Sequence, residues 1–303
     1  MSASSLVALA LVLGIAPALP GVAARTVAAL TGRRGAPLFQ PYLDIARLLG
    51  KGSVTSATTT WVFRAAPIAI PATAVVAGLL LPLDGRRALL AFPGDLVAFA
   101  ALFALGRFAL VLGGLDTGSS FEGMGASREL AFASLTEPAL LLGLAALALT
   151  TGTPSLTGML GAPLAQAWAQ SSATLVMVAV SLFIVLLAEA GRVPVDDPAT
   201  HLELTMIHEV IVLDHGGPDL AMMLYGSALK FALFGVLVLG ALVPRSGLTP
   251  VTSIGVLAAG LLALAVVVGV VESLMARLRL ARVPQLLLAA SALSVLGVLL
   301  RVR

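Results

Sequence analysis

The chain contains no cysteine, and it has few aromatic and few charged residues. Without cysteine it can form no disulfide bond and can supply no thiolate ligand to zinc or to an iron–sulfur cluster. Two Trp and two Tyr among 303 residues are too few to mark the two faces of a membrane. Charged residues make up 11% of the sequence, well below the roughly 25% of a soluble domain. These absences argue against a disulfide framework, a thiolate metal site and a separate soluble domain.

Hydrophobic residues dominate what is present: they form 59% of the chain, and its mean hydropathy is +1.06. A helix crosses a bilayer with about 20 mainly apolar residues. The sequence predicts spans at residues 3–23, 66–83, 95–115, 130–149, 171–190, 223–243, 251–271 and 283–300. The first run is long and lacks the basic start of a signal peptide, so we expect it to be retained. The prediction is an all-α integral membrane protein with about eight transmembrane helices, a structured cytoplasmic face and a single transmembrane domain over residues 1–303.

Basic residues are distributed unevenly between the predicted loops. The loops after the first span and before the last span carry most of them: Arg25, Arg33, Arg34, Arg47, Lys51, Arg64, Arg277, Arg279 and Arg282. The positive-inside rule places these loops in the cytoplasm. The cytoplasmic loops are then residues 24–65, 116–129, 191–222 and 272–282, and we expect them to form a docking face.

The first of these loops contains an amphipathic segment at residues 37–50. It predicts a short helix with Pro41 in its first turn. The apolar residues expected on one side are Leu43, Ile45, Ala46 and Leu49, with Asp44, Arg47 and Lys51 toward polar groups. The residues of this segment that we expect to meet a docking partner are Gln40, Tyr42, Asp44 and Arg47.

The densest group of ionisable residues lies directly after the fifth predicted span, at residues 189–209. It contains the acids Glu189, Asp196, Asp197, Glu203 and Glu209 and the histidines His201 and His208. Charge at a membrane boundary is expensive and usually functional. Gly191 and Pro194 are expected to end the span, and a new helix begins near residue 199 with Asp197 or Thr200 as its cap. Acids alternating with apolar residues here favour docking of another protein, at His201 and His208 among others, over a merely solvated polar cap.

Ionisable residues also occur within the predicted spans. Arg107, Glu137 and Lys230 lie in the third, fourth and sixth spans, and Arg128 and Glu129 lie where the fourth begins. An unpaired ion in hydrocarbon costs at least about 2.5 kcal/mol, so these groups should face the bundle interior and pair. Glu129 and Glu137 are close to two helical turns apart and should share a face. For Glu137 and Glu189 both proton conduction and static pairing stay open, whereas for Arg107 and Lys230 we favour pairing or charge tuning.

A metal site is not favoured by the spacing of the histidines. His208-Glu209 is not followed by a second histidine in the His-Glu-x-x-His pattern of zinc proteases. His201 and His208 are two helical turns apart, too far for one metal without a third ligand. We therefore expect no metal ligands and no catalytic residues in this chain.

Residues 188–209 resemble the signature of the membrane subunit of group 4 NiFe hydrogenases, of the formate hydrogenlyase subunit 4 or hydrogenase-4 component C type. That group is similar to the membrane subunit of NADH-quinone oxidoreductase that lies beneath the peripheral arm of complex I. Residues 40–51, 125–138 and 227–234 resemble the family's first cytoplasmic loop, its acid-rich helix and the helix after the acidic loop. The resemblance spans nearly the whole chain.

The sequence after Ala190 sides with the hydrogenase branch of this family. Quinone-reducing relatives favour Asn-Arg-x-Pro-Phe-Asp followed by Glu-Ser-Glu-Leu. Here Gly191-Arg192 precedes Val-Pro-Val-Asp-Asp-Pro, and His201-Leu-Glu-Leu follows. One departure is Asp-His-Gly-Gly at residues 214–217, where the family often has an acid, an aromatic residue and Ser-Gly.

The resemblance implies a non-redox subunit of an oxidoreductase complex in the cytoplasmic (inner) membrane of a prokaryote. A soluble module with the NiFe site and iron–sulfur clusters would dock against residues 33–51 and 192–219, so this chain would bind no cofactor itself. The implied partners are the hydrogenase large and small subunits, an iron–sulfur protein and antiporter-like membrane subunits that move H⁺ or Na⁺. The implied start of the ion path comprises Glu129, Glu137, Glu189, Asp196, Asp197, Glu203 and Glu209, with charge balance from Arg128, Arg192 and Lys230.

Two other functions stay open. The same scaffold could serve a quinone-reducing complex, which a quinone cavity lined by the first cytoplasmic loop would indicate. A stand-alone secondary transporter would need internal repeats and broken helices near the midplane, and neither is clear in the sequence.

Overall fold

The computed structural model describes residues 3–196 and 207–302, and all regular structure in that part of the chain is helical. The helices are α1 Ala3–Ile15, α2 Ala18–Leu30, α3 Gln40–Leu49, α4 Trp61–Leu79, α5 Asp95–Asp116, α6 Ser120–Thr151, α7 Leu156–Met159, α8 Ala162–Glu189, α9 His208–Ile211, α10 Gly217–Leu242, α11 Pro250–Leu274 and α12 Val283–Val302. A single 3₁₀ turn, Leu280–Arg282, leads into α12. The prediction of an all-α protein is confirmed.

Among the residues that the structure describes, seven helical segments are long and apolar enough to cross a membrane, and the bent pair α1–α2 makes an eighth candidate. The crossing segments besides that pair are α4, α5, α6, α8, α10, α11 and the segment that ends in α12. Each coincides with a run predicted from hydropathy. The protein is therefore a multi-pass membrane protein with about eight spans, as the sequence predicts.

The sequence predicts the first span as one helix over residues 3–23, and the structure differs from this prediction. The structure has two helices, α1 and α2, that meet at an angle of 46°. Pro17 lies at the break and Pro20 one turn later, and proline has no N–H to continue the helical hydrogen bonds. Hydropathy misses the break because it measures apolar content, which is continuous across it.

Several helices also extend into the predicted loops. α6 begins at Ser120, so most of the loop predicted at residues 116–129 is its first turns, and Gly123 and Gly125 are helical rather than turn residues. α4 begins at Trp61, and α10 begins at Gly217 with Pro218 in its first turn. The reason is that a helix can continue with polar and small residues beyond the apolar stretch that hydropathy detects.

α10 lies at the centre of the bundle and packs against α3, α4, α8 and α11. Its Phe234 meets Phe103 and Phe99 of α5, with ring centroids 4.8 and 6.0 Å apart. Small residues allow the close approach that helices need in lipid, where packing replaces the hydrophobic effect. A Cβ on Gly226 of α10 would lie 2.6 Å from a methyl carbon of Ile70 in α4.

Buried polar side chains hold the loops in place at the end of the bundle opposite to α3. Asp95 is fully buried and accepts hydrogen bonds from the backbone of Leu156 and from Ser155, at 2.7 and 2.9 Å. Arg245, 4% exposed, donates to the carbonyl of Leu83 at 2.8 Å. These bonds fasten the loops across the ends of the helices.

Candidate functional site: a buried ionic network

Arg107 of α5 is the centre of a buried ionic network. Only 5% of the residue is exposed. Its Nε lies 3.1 Å from Oε1 of Glu129, and its two terminal nitrogens donate to Glu137 and to Glu189. The spacing of Glu129 and Glu137 predicts a shared face of one helix, and both reach this guanidinium from α6. One cation thus joins three acids from two other helices.

A second cation extends the network to α10. Lys230 Nζ lies 3.2 Å from Oε2 of Glu189, which accepts from Arg107 through its other oxygen. The Glu189 side chain is 4% exposed and the Lys230 side chain 13%. Four helices are therefore tied together inside the span, as is expected where ions must pair away from water.

His208 connects this network to the loop after α8. Its Nε2 lies 3.4 Å from Oε2 of Glu129, and its Nδ1 lies 3.2 Å from Oδ2 of Asp196. The same Asp196 oxygen accepts from the backbone amides of Ile207 and His208 at 3.3 and 3.1 Å, while Arg277 Nη2 donates to the other oxygen at 3.0 Å. The imidazole thus lies between two carboxylates, one in the loop and one in the membrane domain.

The electrostatic surroundings of His208 favour its charged form. Burial alone would lower the pKa of the imidazole, but the negative charge of Glu129 and the hydrogen bond and charge of Asp196 outweigh it. The pKa of His208 is therefore raised above its ordinary value. Lys230 acts in the opposite direction and limits the rise.

Glycines allow α9 to lie against the membrane domain. A Cβ on Gly125 of α6 would overlap a methyl carbon of Val210, and a Cβ on Gly114 of α5 would lie 2.8 Å from one of Ile211. Gly191 has a positive φ of 59°, and a Cβ there would lie 2.8 Å from Nδ1 of His208. Only glycine combines this turn after α8 with the position of the imidazole.

A cavity of about 330 Å³ adjoins the network. Its polar end is formed by Arg107, Glu189, Arg192, Asp196, His208, Glu209 and Lys230. Its apolar walls include Pro17, Pro20, Ile70, Phe103 and Met223, and α3 contributes Pro41, Asp44 and Ile45. The cavity therefore lies between the break in the first span, α3 and the central helix α10.

Other predicted site residues lie at the edges of this network or outside it. Arg192 pairs with Glu272 at 3.4 Å and lies over the ring of Phe231. Arg128 directs a nitrogen to the sulfur of Met124 on its own helix, and Glu209 lines the cavity. Asp197, His201 and Glu203, with the helix predicted near residue 199, lie outside the described residues.

The predicted amphipathic segment is helix α3, but its faces differ in part from the prediction. Leu43 and Leu49 are exposed, whereas Ile45 and Asp44 line the cavity together. Asp44 accepts from Gln40 at 2.7 Å and pairs with Arg47 at 3.6 Å. The hydroxyl of Tyr42 points inward, to the carbonyl of Gly14. The sequence pattern identified the helix but not the cavity that receives one of its sides.

Three residues of functional interest were not identified as site residues from the sequence. The sequence predicts Arg277 only as a basic loop residue, and its location on the same predicted face as the acidic loop is the signal that could have identified it. Glu272 directly follows an apolar run, and only its contact with Arg192 reveals it. Glu122 is fully buried and accepts from the amide of Asp214 at 3.0 Å.

The described side chains include no cluster of three or more His, Asp or Glu residues arranged to hold a metal ion. What the network can do chemically is hold protons and fixed charges side by side. Imidazole and carboxylates exchange protons, whereas the arginine stays charged. Fold and site together define a class: a multi-pass helical membrane protein with a chain of ionisable groups running from one polar face into its interior.

Comparison with known proteins gives the family. Residues 3–302 match the family described as NADH dehydrogenase, and the chain belongs to that family. Formate hydrogenlyase subunit 4 of Escherichia coli (strain K12) is 33% identical over 282 residues, which cover 90% of this chain and 89% of that protein. Hydrogenase-4 component C of the same strain is 32% identical over 234 residues, covering 77% and 73%. The predicted resemblance is confirmed.

Two further similarities are more distant. A subunit of the NADH-quinone oxidoreductase of Rubrobacter xylanophilus is 29% identical over 209 residues, or 66% of this chain and 63% of that protein. A chain in the structure of the membrane-bound sulfane sulfur reductase, an archaeal respiratory membrane complex, superposes with a TM-score of 0.84, covers 98% of both chains and is 20% identical. The latter similarity establishes the fold.

Proposed function

We propose that the chain is the membrane anchor and ion-coupling subunit of a multisubunit, complex-I-like hydrogenase. The observation that carries the proposal is the continuous series of ionisable groups Asp196, His208, Glu129, Arg107 and Glu189. It begins in the loop that adjoins α3 across the cavity and ends inside the membrane domain. The coverage of nine-tenths of formate hydrogenlyase subunit 4 supports the same assignment.

In this proposal His208 relays protons between the loop and the membrane domain. An imidazole can accept a proton at one nitrogen and release one at the other. Its two nitrogens face Asp196 and Glu129, so a proton taken from the loop side can be passed inward. Arg107 holds the acids together as a fixed positive charge and does not itself transfer protons. The cavity supplies room for water between His208 and Glu189, which both line it.

In this proposal the ion path leaves the subunit at Glu137, in the plane of the membrane. The side chain of Glu137 is 41% exposed although it lies within a crossing helix and binds Arg107. A carboxylate facing lipid is costly, so we expect a neighbouring membrane subunit of the antiporter-like kind to cover it. An ion reaching Glu137 would continue through that neighbour, because this carboxylate is exposed at the side of the bundle.

The docking face supports the rest of the assignment. α3 exposes Leu43, Arg47 and Leu49, and Phe39 directly before it is exposed as well. In the proposed complex these residues meet the soluble module, whose large and small subunits and iron–sulfur protein hold the NiFe site and the clusters. The excess of basic loop residues on this side supports orienting it toward the cytoplasm. In the proposed complex the chain lies in the inner membrane of a prokaryote.

The test is purification of the tagged chain from its native membrane in mild detergent. Mass spectrometry would identify co-purifying proteins, and the eluate would be assayed for viologen-linked H₂ oxidation. A cysteine-rich large subunit together with activity is the expected result. An eluate containing this chain alone would contradict the proposal.

A pair of variants tests the docking face in the same experiment. Arg47→Glu reverses an exposed charge on α3, and we expect it to release the soluble subunits. Arg301→Glu makes the same change at the exposed end of α12, where we expect the soluble subunits to be retained. Equal retention by both variants would count against docking at α3.

The cavity favours one second candidate, a quinone-reducing complex-I-like oxidoreductase. A cavity lined by the first cytoplasmic loop is the feature expected for that function, and Pro41, Asp44 and Ile45 provide such a wall. Its apolar walls and charged end suit a molecule with an apolar tail and a polar head. Quinone reductase activity in the purified complex, with no H₂ oxidation, would establish this candidate instead.

A further inference from the structure

The only two tyrosines of the chain both bind the break in the first span. Tyr225 of α10 donates its hydroxyl hydrogen to the carbonyl of Leu13, with 3.1 Å between the oxygens. In a continuous helix that carbonyl would accept from residue 17, but Pro17 has no N–H. The tyrosine therefore satisfies a carbonyl that the proline leaves free within a membrane-crossing segment.

Tyr42 of α3 satisfies the next carbonyl in a different way. Its hydroxyl donates to the carbonyl of Gly14, with 2.5 Å between the two oxygens. In a continuous helix the amide of Ala18 would donate directly to the carbonyl of Gly14. The hydroxyl thus takes the carbonyl that a continuous helix would pair with Ala18, and side chains that enter the helical hydrogen-bond ladder are a known cause of sharp kinks.

The Tyr42 hydroxyl stays protonated and able to donate at physiological pH. Burial raises the pKa of Tyr42 above its ordinary value, although the amide of Ala18 acts against this. The side chain is positioned by its helix, because the segment before it passes directly over Gly21 of α2. A Cβ on Gly21 would overlap the carbonyl oxygen of Leu38.

Both tyrosines belong to helices that line the cavity. The break in the first span lines the cavity as well. Pro17 and Pro20 form one wall, α3 another and the start of α10 a third. The two hydrogen bonds therefore hold the vertex of the bend against α3 and α10. Releasing them would let the vertex move away from both helices.

We propose that Tyr42 and Tyr225 are a pair of latches that hold the first span bent, and that this bend sets the opening of the cavity. All of these contacts lie within this chain, so the latch does not depend on the proposed hydrogenase function. Because Tyr42 belongs to α3, a displacement of α3 moves this side chain and one wall of the cavity with it.

The bend can be measured directly because the chain has no cysteine of its own. Leu6 on α1 and Leu30 on α2 are exposed and can be replaced by cysteine for spin labelling of the full chain in nanodiscs. At a rise of 1.5 Å per residue, straightening the 46° bend lengthens the distance between these positions by about 3 Å. We expect Tyr42→Phe with Tyr225→Phe to shift the electron–electron distance toward that limit.

A matched control is Trp61→Phe, which trims an exposed aromatic residue at the start of α4 that does not line the cavity and should leave the distance unchanged. The single change Tyr225→Phe provides a milder variant if the double variant is not monodisperse. An unchanged distance in folded tyrosine variants would overturn the latch.

The effect on the cavity has its own measurement. Thr73 lines the cavity, and Thr73→Cys places one thiol there in place of a hydroxyl of similar size. We expect a water-soluble maleimide to modify this thiol several-fold faster in the tyrosine variants than in the parent or in Trp61→Phe. A longer spin-label distance with an unchanged modification rate would show a latch that does not control the cavity and would overturn that part of the proposal.

Discussion

Arg107 makes it possible for three acids to lie among membrane helices, with Glu129 and Glu189 buried and Glu137 partly exposed. Its planar guanidinium presents donors in several directions, and Glu129, Glu137 and Glu189 each take one of them. A lysine in its place would be a single point charge on a flexible stem and could not match this geometry. The network therefore depends on the shape of one side chain as well as on its charge.

Replacing Arg107 should destabilise the protein strongly. Arg107→Gln leaves buried carboxylates without their cation, and breaking a buried pair in this way typically costs about 3–5 kcal/mol. We expect a clear fall in the thermal unfolding midpoint in detergent, with Arg107→Lys intermediate. Arg86→Gln changes an exposed arginine and should leave the midpoint unchanged. Equal midpoints for Arg107→Gln and Arg86→Gln would show that the network does not support the fold.

His208 should make the attachment of the loop dependent on pH. The pKa of His208 is raised above its ordinary value of 6.5 in the folded protein. Its protonated form therefore stabilises the folded loop fully below pH 6.5, and this contribution is lost as the pH rises through the raised pKa. Hydrogen exchange at the amides of Ile207 and His208, corrected for intrinsic rates, should show protection that falls over that interval.

The control for this pH dependence is His208→Gln, which keeps a polar side chain but cannot titrate. In that variant, the protection of these amides against hydrogen exchange should no longer fall between pH 6.5 and the raised pKa of His208. Protection in the parent protein that increases with pH over the same range would contradict the assignment of the raised pKa.

At the scale of elements, the contact between α6 and α9 positions His208. α9 is only four residues long, and a helix of that length has little stability of its own. It is held because Gly125 and Gly114 leave space for Val210 and Ile211. Packing of one short helix on two glycines thus determines whether the imidazole reaches Glu129.

Two glycines of α6 give a matched test of this contact. Gly125→Ala would bring a methyl group against Val210, and overpacking of this kind typically costs about 1–3 kcal/mol. Gly123→Ala meets no atom within 4 Å and should stabilise the helix by about 0.5–1 kcal/mol. We expect faster proteolysis near residues 207–211 and a lower unfolding midpoint only for Gly125→Ala. Equal proteolysis rates and equal unfolding midpoints in the two variants would mean that α9 can shift without a loss of stability.

At the scale of the whole molecule, the ionisable groups gather toward the α3 end of the bundle and reach its outside at Glu137. The cavity and the loop lie at the α3 end, Glu137 reaches the outside of the bundle, and Asp95 and Arg245 fasten the opposite end. This arrangement suits a subunit that passes ions to a neighbour better than one that conducts them across the membrane alone.

Glu137→Gln should leave the complex assembled but impair coupling. The amide keeps the size of the side chain and can still accept from Arg107, but it cannot carry a proton. We expect a several-fold loss of ion translocation in proteoliposomes at an unchanged rate of the redox reaction. Ser134→Ala, an exposed change one turn away, should translocate normally. Unchanged translocation by Glu137→Gln would count against the ion path.

The sequence alone determined the class of protein, the approximate spans and the existence of α3, because these follow from local composition and period. It also placed Glu129 and Glu137 on one face of a helix, since a helical turn has a fixed length. The partners of these acids could not be predicted in the same way. Arg107 and Glu189 are 82 residues apart in the chain, and many pairings of buried charges satisfy the same composition.

Only the tertiary structure decided which charges meet, where the cavity lies and how the first span bends. Pro17 and Pro20 are visible in the sequence, but a proline alone does not say what satisfies the carbonyls that it frees. Tyr225 is 212 residues away from Leu13, and only the packing of α10 against α1 brings its hydroxyl there. Local chemistry sets which groups require partners, and the packing of distant helices selects the partners, because hydrogen bonds and ion pairs act over only a few ångströms.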